Sequence, residues 1–142
     1  MHKDFYASGF LYHPKTQQIL LQQENKDGAN NEWNLFSGEN EKEEDVKETF
    51  LRIINTHLNL KLKINSIFTI YDYTYKGKDV YLLYAHVRKL EKFTHDTKIF
   101  TWFTFKKIQK LTLSAQAKQD IIVGQRVIDS SIRKGLGLQT IG

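Results

Sequence analysis

The 142-residue chain contains no cysteine. That excludes a disulfide framework, a thiol nucleophile and any cysteine-based zinc or iron–sulfur site. Proline occurs once, at Pro14. No Pro/Ser/Gly-rich stretch marks a linker and no internal repeat is present, so residues 1–142 are expected to form a single domain. No apolar run approaches the roughly 20 residues of a membrane span. The opening Met1-His2-Lys3-Asp4-Phe5 lacks the apolar core of a secretory signal. The expectation is therefore a cytoplasmic protein without a membrane partner. There is no G-x-x-x-x-G-K-[ST], G-x-G-x-x-G or G-x-S-x-G motif. Gly135-Leu136-Gly137 is no phosphate cradle, because no strand–helix pair surrounds it.

Charged residues make up 26% of the chain and apolar residues 40%, a balance that supports a packed core. The net charge of +5 conceals an asymmetry. Residues 1–50 carry 5 basic and 10 acidic side chains, and residues 51–142 carry 16 and 6. The positive balance permits a polyanionic partner without requiring one.

Tyr6–Tyr12 and Gln18–Gln23, separated by His13-Pro14-Lys15-Thr16, predict a β-hairpin. A polar loop follows over Glu24–Glu32, then a short extended piece at Trp33–Phe36. The four-residue recurrence of Val46, Phe50, Ile54 and Leu58 predicts a helix over Glu44–Leu58, closed by Asn59 in a left-handed turn. Alternating apolar residues predict strands over Lys61–Tyr75, Asp79–Arg88 and Lys98–Phe105. A helical turn over Lys106–Leu111 precedes a long helix over Ser114–Lys134, with a frayed tail from Gly135, residues 136–142. The order implies a mixed α/β fold with a mixed sheet between helices.

Six acids (Glu39, Glu41, Glu43, Glu44, Asp45 and Glu48) crowd a ten-residue segment at the first helix start. Acids there complement the helix dipole, or supply oxygen ligands to a hard cation such as Mg²⁺. Trp33-x-Leu35-Phe36-Ser37-Gly38, then Glu44, Arg52, Ile54 and Leu60 at matching spacing, resembles the Nudix hydrolase (MutT-like) family, whose box reads G-x5-E-x7-R-E-U-x-E-E-x-G-U. Ile99-Phe100-Thr101-Trp102-Phe103 and Lys106-Lys107-Ile108 resemble that family's approach to its last helix. The resemblance implies a Nudix-type α/β/α sandwich, a ligand of the nucleotide or nucleoside diphosphate-derivative class, and Mg²⁺ or Mn²⁺ if the protein is active.

The departures bear on activity. Where the family places its three box-end glutamates, this chain has Ile53, Thr56 and His57. These positions share one helix face and carry no fixed negative charge. The resemblance leaves Glu44, Glu48 and Arg52 as catalytic candidates. It leaves Gly38, Glu44, Glu48 and Asp96 as metal candidates, with Glu91 a poorer substitute for Asp96. Placing Glu44, Glu48 and Arg52 on one helical ridge also predicts a Glu48–Arg52 ion pair. Trp33, Tyr71 and Tyr73 are candidates for stacking a base, with sheet packing as the alternative role of the tyrosines. The first expectation is a protein of this family with an eroded metal site and weak or no hydrolysis. Two alternatives stand beside it. One is an active pyrophosphohydrolase using Glu44, Glu48 and Asp96. The other is a non-catalytic RNA- or protein-binding domain using the basic surface of residues 61–134, for which one continuous lysine face would speak.

Overall fold

The computed structural model describes residues 4–25 and 31–141, with side chains through residue 134. Its elements are β1 (Phe5–His13), β2 (Gln18–Glu24), β3 (Trp33–Asn34), β4 (Phe36–Glu39), α1 (Val46–Leu58), a 3₁₀ turn (Ile64–Ser66), β5 (Ile67–Tyr75), β6 (Lys78–His86), β7 (Lys98–Thr104), α2 (Phe105–Ile108) and α3 (Ala115–Ile141). The expected mixed α/β architecture is present. A seven-stranded mixed sheet runs β3-β2-β1-β6-β5, with β4 added to β1 and β7 to β2.

The predicted hairpin forms, but only its turn end is paired, at Leu11↔Leu20, Tyr12↔Ile19 and His13↔Gln18. The turn is held by buried His13. Its Nδ1 lies 2.7 Å from Thr16 Oγ1 and accepts the Thr16 amide, and its Nε2 donates to Arg88 O at 3.1 Å. Beyond Leu11 and Leu20 the strands part. β4 takes the freed edge of β1, from Tyr6↔Glu39 to Gly9↔Phe36. β3 takes that of β2, at Gln22↔Asn34 and Gln23↔Trp33. On its other edge β1 runs parallel to β6 over eight residue pairs.

Side chains alternating along the strands feed two cores. On one face, Leu11, Leu20, Phe36 and Leu83 meet Phe50, Ile53, Ile54 and Leu58 of α1. On the other, Phe10, Ile19, Leu21, Leu35 and Leu82 meet Ile121 and Ile128 of α3. The result is the expected sandwich of helices around a sheet. No helix among the described residues is long and apolar enough to cross a membrane.

Four expectations need correction. First, α1 starts at Val46 rather than Glu44, because Asp45 is its N-cap. The Asp45 side chain accepts from Glu48 N at 2.8 Å, and Glu48 Oε1 accepts from Asp45 N at 3.0 Å, a reciprocal capping box. Asn59 closes the helix at φ 53°, as its sequence position predicts. Second, residues 61–66 are not strand. They cross the end of α1, with Leu62 N donating to Asn55 Oδ1, and β5 begins only at Ile67. Third, β6 ends at His86 rather than Arg88. Fourth, the helix continues through Gly135 to Ile141. Glycine weakens a helix by about 1 kcal/mol without breaking it.

Candidate functional site

The parting of β1 and β2 opens a cleft of about 580 Å³ between the sheet and the start of α3. Tyr6 and Ser8 line it from β1, Gln22 and Gln23 from β2, Asn34 and Ser37 from β3 and β4, and Tyr73 and Tyr75 from β5. Gln22 Nε2 donates to Leu35 O at 3.1 Å and ties the two sides of the fork together.

Asp120 of α3 forms the cleft's buried end and is only 3% exposed. It accepts from Tyr71 Oη at 2.6 Å, Tyr73 Oη at 3.3 Å and Gln116 Nε2 at 2.9 Å. Such saturation is what makes a buried carboxylate tolerable. Burial and the neighbouring carboxylate hold both phenols protonated, with Tyr73 pushed up to about 12. A register shift in β5 falls between Thr69 and Tyr71, just ahead of the two tyrosines.

At the neighbouring helix start, Glu44 is surrounded by donors. Arg52 Nε reaches its Oε2 at 2.7 Å and Arg52 Nη2 its Oε1 at 3.1 Å. Glu41 N at 2.7 Å and Thr49 Oγ1 at 3.1 Å also donate to Oε1. Arg52 further donates to Glu39 O at 2.8 Å, locking the acidic loop onto α1. These donors hold the Glu44 carboxyl below its usual pKa, with the Arg52 hydrogen bond the largest cause. The ion pair predicted between Glu48 and Arg52 therefore does not form. Glu44 precedes the helix and folds back onto Arg52, while Glu48 serves the cap.

The side chains at positions 53, 56 and 57 take three different environments. Ile53 is buried in the α1 core, and its Cδ1 would lie 3.1 Å from a Cβ placed on Gly38. Thr56 is exposed. His57 is half-buried, its ring 6.2 Å from that of Phe36. Burial first, then Lys98 and His95, push the His57 pKa below 6.5. Asp96 lies exposed in the loop before β7. Among the described residues no group of three or more His, Cys, Asp or Glu side chains could hold a metal ion.

Of the stacking candidates, Tyr73 lines the cleft and Tyr71 is tied to Asp120 beside it. Trp33 instead packs edge-on against Phe103, ring centroids 4.9 Å apart. Sequence reasoning missed Asp120, whose signal was an acid on the same helical stripe as Ala117 and Ile121. It also missed the strand amides Gln22 and Asn34, which carry no signal of their own.

The His57 environment has a measurable consequence. The folded-state pKa lies below the unfolded value, so the unfolded chain takes up the proton first as pH falls. Stability contributed by neutral His57 should be present above about pH 6.5 and decline below it. Burial gives His86 the same direction. Urea unfolding between about pH 7.5 and 5.5 should show this decline, with a shallower slope in His57→Gln.

No family model matches the sequence, and no curated protein matches it. Solved structures match its fold. A MutT structure studied in Aliivibrio salmonicida and Vibrio cholerae has a TM-score of 0.68 at 10% identity, covering 89% of this chain and 98% of that one. The Nudix domain of Shewanella oneidensis NrtR, in complex with ADP ribose, has a TM-score of 0.66 at 14% identity, with 89% and 88% covered. A Caenorhabditis elegans Ap4A hydrolase has a TM-score of 0.63 at 14% identity, with 88% and 98% covered. The chain thus has the Nudix fold.

Proposed function

We propose that this protein is a single Nudix-fold domain that binds a nucleotide derivative, a nucleoside diphosphate linked to another group, with little or no metal-dependent hydrolysis. The observation that carries this reading is the contrast between cleft and box. The cleft is open, offers amide and hydroxyl groups from Ser8, Gln22, Gln23 and Asn34, and is edged by tyrosine rings, as suits recognition of a nucleoside. The helix face where a hydrolase of this fold would hold Mg²⁺ or Mn²⁺ carries Ile53, Thr56 and His57. A hard cation needs several oxygen ligands, so these residues do not fit one. That the NrtR domain of similar fold binds ADP ribose supports the ligand class.

The hydrolase alternative would draw its ligands from Glu44, Glu48 and Asp96. Glu44 is bound to Arg52, Thr49 and the Glu41 amide, and Glu48 to the amide of Asp45, so recruiting either would dismantle the start of α1. The nucleic-acid alternative would be favoured by one continuous basic face. Lys61, Lys63, Arg88 and Lys89 line a groove beside the 3₁₀ turn, Lys76 and Lys78 flank the β5–β6 turn at the strands' opposite end, and Lys106 and Lys107 lie on α2. This dispersal favours a small ligand.

Calorimetry with a panel of nucleoside diphosphate derivatives, followed in the same samples by product release with Mg²⁺ or Mn²⁺, tests the reading. Saturable heat without turnover is expected. Steady turnover in either metal, or no binding to any panel member, would overturn it.

A further inference from the structure

Three segments distant in sequence converge at the end of α1. His57 stands 6.2 Å from the Phe36 ring, Phe36 stacks on Phe100 at 5.9 Å, and the His95 ring lies 6.3 Å from Phe100. Lys98 precedes Phe100 by two residues on β7 and so shares its face of the sheet. Its Nζ donates to Gln22 Oε1 at 3.2 Å, and Gln22 lines the cleft. Two imidazoles thus flank the stacked Phe36–Phe100 pair at the end of α1, and a lysine on the same sheet face reaches a residue of the cleft. His95 Nδ1 accepts the Thr97 amide at 3.1 Å, which places the proton of the neutral ring on Nε2. The lowered pKa of His57, which both Lys98 and His95 help to cause, agrees with this closeness.

We propose that His57, His95 and Lys98 form a metal-independent cradle for a diphosphate group. The inference rests on the reading that the cleft takes a nucleotide derivative, since Gln22 joins the cradle to that cleft. A diphosphate carries several negative charges that must be compensated when water is removed. Carboxylates around a cation do this by way of the metal. A lysine ammonium does it directly, and neutral imidazole N–H groups add charge-assisted hydrogen bonds to the anion. Ile53 and Thr56 suit that scheme because a carboxylate at either position would repel the anion. Two carboxylates stand close by. Glu24 faces Lys98 across the β2–β7 pair, and Asp96 lies two residues before it, so the anion competes with both for the ammonium.

The test is calorimetric titration of the full chain with inorganic pyrophosphate in excess EDTA. Binding is expected in EDTA with no requirement for Mg²⁺, and added Mg²⁺ should not strengthen it, because the cation itself complexes pyrophosphate. It should weaken by about tenfold or more in Lys98→Ala and in His57→Gln, with thermal unfolding midpoints confirming that both variants fold. Binding that appears only with Mg²⁺, no binding at all, or wild-type affinity in both variants would overturn the proposal. The nucleotide reading fails separately. Pyrophosphate bound as specified, with no nucleotide of the panel binding more tightly than pyrophosphate itself, would retain the cradle and remove the nucleoside. Nucleotide binding that is indifferent to Lys98→Ala and His57→Gln would remove the cradle and retain the nucleoside.

Discussion

Gly9→Ala should destabilise the fold by about 3 kcal/mol or more, and the variant should accumulate poorly or aggregate. A Cβ at this position would collide with the carbonyl oxygen of Leu83 and sit 2.9 Å from Cε1 of Phe50. The first contact is with backbone, so no rotamer change relieves it. Gly9 pairs with Leu83 in the parallel β1–β6 ladder and with Phe36 across the β1–β4 pair. Relief would require the central strands to separate, and the fork that forms the cleft would move with them. Chemical unfolding measures the loss. Gly77→Ala is the control, because its φ of 78° makes it strained while nothing lies within 4 Å. It should lose only about 1 kcal/mol. Equal losses in the two variants would show that the close approach at Gly9 is not what matters.

The second large effect is expected at Asp120. In Asp120→Ala the hydroxyls of Tyr71 and Tyr73 and the amide of Gln116 lose their shared acceptor at the buried end of the cleft. Leaving such donors unsatisfied costs about 3 kcal/mol, and nucleotide binding should be lost with it. Asp120→Asn keeps the shape and removes the charge, so it separates the two roles. It should retain most of the stability while weakening nucleotide binding. The Tyr73 phenol, pushed up to about 12, should then titrate at lower pH, though still above its ordinary value, because burial is the larger cause of its shift. Absorbance titration of the tyrosines reads this directly. An unchanged titration, or full nucleotide affinity in Asp120→Ala, would show that the carboxylate does not govern the cleft.

The secondary structure was largely legible because its signals are local. The Val46–Phe50–Ile54–Leu58 stripe identified α1, and its closing residue Asn59 adopts the left-handed conformation its position predicts. The strand pattern located β1, β2, β6 and β7 to within a few residues. Errors came where tertiary contacts overrode the pattern. Leu62 alternates with Ile64 as in a strand, yet the segment spends its amide on Asn55. Glu44, Glu48 and Arg52 have helical spacing, yet the N-cap at Asp45 removes Glu44 from the helix and redirects Arg52 to it.

Sequence alone determined that Ile53, Thr56 and His57 bring no carboxylate to their face of α1, since residue identity at a fixed spacing needs no coordinates. It also determined the order of strands and helices, because periodicity of burial is a property of consecutive residues. Tertiary structure decided the rest. The parallel pairing of β1 with β6 and the splitting of the hairpin around β3 and β4 join residues far apart in the chain, and they create the cleft. Asp120 joins the tyrosines of the cleft only when α3 docks against Tyr71 and Tyr73. His57 and His95 come to one place because each packs on one ring of the stacked Phe36–Phe100 pair. Electrostatic character falls off over a few ångströms in space and is indifferent to sequence separation. The acidic segment read from the chain is therefore divided by the fold: Asp45 and Glu48 cap α1, Glu41 and Glu44 pair with Arg52, and Glu39 reaches Lys78 on β6.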